Sequence, residues 1–90
     1  MLVLPTELTH AQAQAALRML LQGLRSQPHG SVVVDAAALA RFDSSALAVL
    51  LECRRVALSL GRAFSVHQAP PQFQALAQLY GIAELLPAEG

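Results

Sequence analysis

Apolar positions along the chain alternate between short continuous runs and helix-spaced series. Leu2-Val3-Leu4 is a short run closed by Pro5, which predicts a strand at or near a sheet edge. Ala13, Ala16, Leu17, Leu20, Leu21 and Leu24 then recur at three- and four-residue intervals, with Gln14, Arg18, Gln22 and Arg25 opposite. That period predicts a helix over 10–26, opened by Thr9 and Gln12 at capping-box spacing and stopped by Gln27-Pro28-His29-Gly30. In Ser31-Val32-Val33-Val34-Asp35 three successive β-branched residues make both faces apolar, the pattern of a central strand covered on both sides. Residues 36–41 read as a connection. Asp43-Ser44-Ser45 supplies cap residues for a second helix over 44–61 that stops at Gly61.

Ala63 to His67 alternates as a third strand, and Pro70-Pro71 opens a last helix with Phe73, Leu76, Ala77 and Tyr80 on one face and Gly81 at its end. Ile82 to Leu86 predicts a short terminal strand before Pro87. The order β-α-β-α-β-α, with that terminal strand, predicts one α/β domain over 1–90. Its mainly parallel or mixed sheet has about four strands, three covering helices and right-handed crossovers.

The second helix carries the most information. At 100° per residue, Ala46, Leu50, Cys53, Ala57 and Leu60 share the sector that should face the sheet. Ser44, Ser45, Ala48, Glu52, Arg55, Ser59 and Arg62 form a polar stripe, flanked by Leu51 and Leu58 on one side and Val49 and Val56 on the other. These flanks either widen the contact with the core or form an apolar docking surface with a polar centre. Glu52 and Arg55 are one turn apart and can pair. Asp43, Ser44 and Ser45 stand where free backbone N–H groups accept a cap or favour an anion such as a phosphorylated serine.

Composition narrows the function classes. Of 90 residues, 54% are hydrophobic and 13% charged, against about 25% charged in an ordinary domain. Disorder is excluded by that balance. Six Arg and no Lys offset six acidic residues, so no cationic excess exists to bind phosphate backbones, and a nucleic-acid partner is not expected. Too few charges remain to cover the surface, which predicts an apolar patch hidden by a partner.

No basic leader precedes the opening apolar run, and no run is long enough to cross a bilayer. The lone Cys53 excludes an internal disulfide and a multi-cysteine metal site. A reducing cytoplasm is therefore expected, with any membrane association made through another subunit. Phosphate loops, nucleophile elbows and CxxC pairs are absent, and His10, His29 and His67 lack metal-pair spacing. No enzyme, metal or cofactor is expected.

Val32-Val33-Val34-Asp35 through Phe42-Asp43-Ser44-Ser45-Ala46-Leu47 resembles the signature of the STAS domain family, a hydrophobic strand leading to Asp-Ser/Thr-x-Gly-Leu at a helix start. The ending Leu76-Ala77-Gln78-Leu79-Tyr80-Gly81-Ile82, with Leu85-Leu86-Pro87, is similar to the small cytoplasmic STAS subunit of Mla-type phospholipid-transport ABC complexes. The loop from Asp35 to Asp43 is similar to that subunit's as well. The resemblance covers residues 31–87 and implies a STAS-like fold and a non-enzymatic interaction module. The implied partner is the ATPase of an ATPase–permease complex that maintains outer-membrane lipid asymmetry, with the chain peripheral to the inner membrane.

In that comparison Ser44 takes the position of the subunit's interface Thr. Ser45 takes the position phosphorylated in anti-sigma factor antagonists, for which the partner would be an anti-sigma factor acting as kinase. Asp43 is then expected to orient the site, with Ser44 as interface hydroxyl and Ser45, Leu51, Glu52 and Arg55 as neighbouring contacts. Ala46 replaces the usual Gly, and its methyl is expected to favour the helix while narrowing a partner's close approach. Without a partner, the apolar flank permits a homodimer.

Overall fold

The computed structural model describes residues 1–89. Three parallel strands build the main sheet: β1 (Leu2–Val3), β3 (Val32–Asp35) and β5 (Phe64–His67), in the order β1-β3-β5. Leu2 and Val3 pair with Val34 and Asp35, and Val32 to Asp35 pair with Phe64 to His67. The edge position expected for the first strand is what Pro5 permits, since its missing N–H would interrupt a central ladder.

Helix α1 (Ala13–Ser26) connects β1 to β3, and α2 (Ser44–Ser59) connects β3 to β5. Because strand order never reverses, successive crossovers of one hand lay both helices on the same face. The main-chain N–H of His10, ahead of α1, reaches the Asp43 cap of α2, and the Arg62 guanidinium beyond α2 reaches the Leu24 carbonyl in the last turn of α1. The helices therefore run side by side in the same direction. Val32, Val34, Phe64 and Val66 are buried beneath them, whereas Val33, Asp35, Ser65 and His67 on the reverse face stay half-buried. The valine run is central in the sheet, as expected, but it is covered fully on one face only.

A second pair of strands was hidden in the connections. Strand β2 (Glu7–Leu8) pairs in parallel with β4 (Arg41–Phe42), each too short to show a period. Helix α1 begins at Ala13 and not at residue 10, because Thr9 does not cap it. The Thr9 hydroxyl donates to Gln12 Oε1 at 2.7 Å, and the Thr9 N–H donates to the same oxygen at 2.8 Å. Half of the capping box is made, and residues 9–12 form a turn before the regular ladder starts.

Helix α2 ends in a Schellman arrangement: Gly61, at φ +72°, donates to Leu58, and Arg62 donates to Ala57. Ala46, Leu50, Cys53 and Ala57 face the core, but Leu60, at the helix end, is 56% exposed. Val49 is buried, and Leu51 and Val56 pack partly against the core, so these flanks widen the core contact while Leu58 stays exposed.

Helix α3 (Pro71–Leu79) is anchored by Phe73, which packs edge-on against Phe42 with ring centroids 5.4 Å apart. The terminal strand expected over Ile82–Leu86 is absent. Residues Ala83–Leu85 form a 3₁₀ turn instead, directing Ile82, Ala83 and Leu86 inward and Glu84 and Leu85 outward. Sheet-like pairing begins only at Pro87: the Val66 N–H donates to Pro87 O at 2.8 Å, and Ala88 forms a parallel bridge to Val66.

Candidate functional site

The N-terminus of α2 is organised by Asp43. Its extended backbone lets Oδ1 accept the Ser45 N–H at 2.8 Å, while Oδ2 accepts the His10 N–H at 3.1 Å. The hydrogen bond from the His10 main chain, then that from Ser45, holds the carboxyl below its ordinary value of 3.8. One exposed carboxylate thus caps α2 and ties it to the turn preceding α1.

The two serines after it face different surroundings. Ser44 is exposed and lines an open groove of about 600 Å³ between β4, the start of α2 and α3. Phe42, Leu76 and Tyr80 supply its apolar walls, with Gln72 and Arg41 on the polar side. Tyr80 is 56% exposed, and its neighbour in sequence, Leu79, is 79% exposed. Ser45 is half-buried and lines a smaller groove of about 260 Å³ between α1 and α2, beside His10, Ala13, Gln14 and Leu17. Adjacent helical residues diverge by about 100°, which turns the two hydroxyls toward different grooves at the helix start.

Farther along α2, Arg55 donates to Glu52 through Nε at 2.8 Å and Nη2 at 2.6 Å, a two-pronged surface pair. The Arg55 bond holds the Glu52 carboxyl below its usual range. Leu51 divides its surface between core and solvent. Asp43, Ser44, Glu52 and Arg55 are thus displayed along the exposed side of α2, Leu51 borders them, and Ser45 turns toward α1.

Ala46 corrects an expectation: it is fully buried, so its methyl points into the core and stands in no partner's way. Burial also pushes the Cys53 thiol up to about 11, leaving it a small core hydrophobe. Among the described residues, no group of three or more His, Cys, Asp and Glu side chains converges on a metal position. None of the described helices is long and apolar enough to cross a membrane.

The wall of the Ser44 groove was not read from the sequence. Leu76 and Tyr80 are an i, i+4 pair assigned to the buried face of the last helix, yet Tyr80 sits at the C-cap where that face runs past the core. The helical period identifies their shared stripe but not where the covering layer ends.

An acidic cap, a serine exposed beside it and an apolar wall thus meet at this groove. The family model described as "Mlab, STAS domain" matches residues 1–87. The chain belongs to the STAS domain family. Among curated proteins, none matches this chain. STAS domains are in general non-enzymatic interaction domains, and this one is a protein-interaction or regulatory domain.

Proposed function

We propose that this STAS domain is the small subunit of an ABC-type phospholipid transporter maintaining outer-membrane lipid asymmetry, and that it docks on the transporter's ATPase through the start of α2. The observation that carries the reading is the Ser44 groove, where an exposed hydroxyl stands beside Phe42, Leu76 and half-exposed Tyr80. Aromatic anchors around a small polar centre are the composition of an interface core. In this reading Asp43 fixes the helix start, Ser44 makes the central contact, and Ser45, Leu51, Glu52 and Arg55 border it. The chain acts without chemistry: binding one state of the ATPase more tightly than another raises that state's population by the affinity ratio. Its place is the cytoplasm, peripheral to the inner membrane through the ATPase.

The competing reading is an anti-sigma factor antagonist switched at Ser45. Ser45 is half-buried against α1, and the Asp43 carboxylate already accepts its N–H, so a phosphate there would meet a like charge. Those two features favour the Ser44 surface. The test is affinity capture from native membranes, with bound proteins identified by mass spectrometry. Recovery of an ABC ATPase with its permease supports the transporter subunit. Recovery of a soluble kinase or anti-sigma factor, with stoichiometric phosphate on Ser45, replaces it.

A further inference from the structure

A second cleft, of about 310 Å³, lies between α3, the end of β5 and the C-terminal segment. Its floor includes Val66, Phe73 and Ala77, each almost completely buried, and Leu86 closes the far side. The segment carrying that far side is fastened to β5. The Val66 N–H donates to Pro87 O at 2.8 Å, the Glu89 N–H donates to Val66 O at 3.0 Å, and His67 Nδ1 meets Glu89 Oε1 at 2.8 Å. The cleft is therefore preformed.

Two features set it apart from a packing gap. First, no lining residue is charged, and its polar groups include three glutamine side chains, Gln68, Gln74 and Gln78. The Gln74 amide donates to Ala69 O at 2.7 Å, whereas the Gln68 and Gln78 amides have no hydrogen-bond partner among the described residues. Second, Gln68 is the only non-glycine residue among those described with a positive φ, +55°. Glycine or asparagine holds such a conformation more easily. The Gln68 side chain is exposed. Gln68 with its strained backbone lines the cleft, and local strain of this kind gathers at binding sites.

We propose that this cleft binds a small uncharged ligand with an apolar body and an amide or hydroxyl head, the head held by the amides of Gln68 and Gln78. An apolar cavity of about 150 Å³ accommodates benzene, so twice that volume suits a ligand of about 10 non-hydrogen atoms, head included. The ligand is neutral because the lining offers a charged head no counter-charge, and the nearby His67 and Glu89 already satisfy each other.

The experiment is a titration of the isotope-labelled chain with octanamide, a neutral amide of matching size, followed by amide NMR shifts. Saturable shifts confined to the cleft, at Val66, Phe73, Ala77 and Ala83, are expected. Octanoate, which carries a charge on the same body, should bind at least about tenfold more weakly. Gln68→Gly should raise the thermal midpoint by relieving φ and weaken octanamide about tenfold by removing its partner. Ala77→Leu, which fills the floor, should abolish the saturable shifts. Absent or scattered shifts in the unmodified chain overturn the site, as does octanoate binding equal to octanamide. Unchanged octanamide affinity in Gln68→Gly also overturns it, and this variant remains decisive even if Ala77→Leu does not fold.

Discussion

Asp43 and Arg62 fasten the two ends of the α1–α2 pair, and they do so with opposite charge and opposite burial. Where the pair begins, free N–H groups gather, and the exposed Asp43 carboxylate accepts two of them, from His10 and Ser45. Where the pair ends, carbonyls gather, and Arg62, only 8% exposed, donates to three. Nη1 reaches Leu24 O at 2.8 Å, Nε reaches Gly30 O at 2.8 Å, and Nη2 lies 3.4 Å from His29 O. The helical partner of Leu24 O would be the N–H of residue 28, but that residue is Pro28 and has none. The guanidinium supplies the missing donor. One pole is sealed and structural; the other is held together by a side chain that leaves the surface around Ser44 open.

Arg62→Met gives the sharpest test of that contrast and the largest expected effect. It strands the buried Leu24 carbonyl and frees those of His29 and Gly30, and urea unfolding should show a loss of about 3 kcal/mol with an unchanged slope. A loss within about 0.5 kcal/mol, ordinary for a surface site, would erase the distinction between the poles.

Asp43→Ala should lower the thermal midpoint by less, since water can replace an exposed cap. Its effect should also depend on pH. The folded carboxyl titrates below 3.8, so its stabilisation is complete above that value and disappears as pH falls through the lower folded one. The stability gap between the unmodified chain and Asp43→Ala should therefore be constant near neutrality and close in acid. A gap that persists at low pH would show that a neutral side chain caps the helix equally well.

Ser44→Arg is expected to leave stability within about 0.5 kcal/mol of the unmodified chain while reducing ATPase recovery at least about tenfold. Full recovery would remove Ser44 from the docking surface. Glu52→Gln has the smallest expected effect on folding: it weakens an exposed pair, and no shift of the thermal midpoint should be resolved. A measurable shift there would mean that the outer face of α2 supports the fold as well as the proposed interface.

Helices and main strands were readable because each repeats its signal over several residues. The Leu20 and Leu24 stripe of α1, the valines of β3 and the glycine stop at Gly61 all reappear as structure. The two-residue β1 was marked by the apolar run Leu2-Val3-Leu4, whereas the equally short β2 and β4 carry neither a run nor a period, and the apolar residues at Ile82–Leu86 suited a turn as well as a strand. At the candidate site, the Asp43 cap and the Glu52–Arg55 pair were local enough to foresee. The Tyr80 wall was not, because it depends on where α3 outruns the layer beneath it.

Arg62 marks the same boundary most clearly. By sequence it continues the polar stripe of α2, alongside Arg55 and Ser59. Gly61 turns the chain back after the helix, and that turn carries the guanidinium inward to carbonyls 32 to 38 residues away in sequence. The sequence by itself determined the α/β order, the α2 cap and the family signature, because these rest on short-range period and hydrogen bonding. Tertiary structure alone decided which sheet face is only half-covered, which serine meets solvent and which arginine is buried, because each depends on layers brought together from distant parts of the chain.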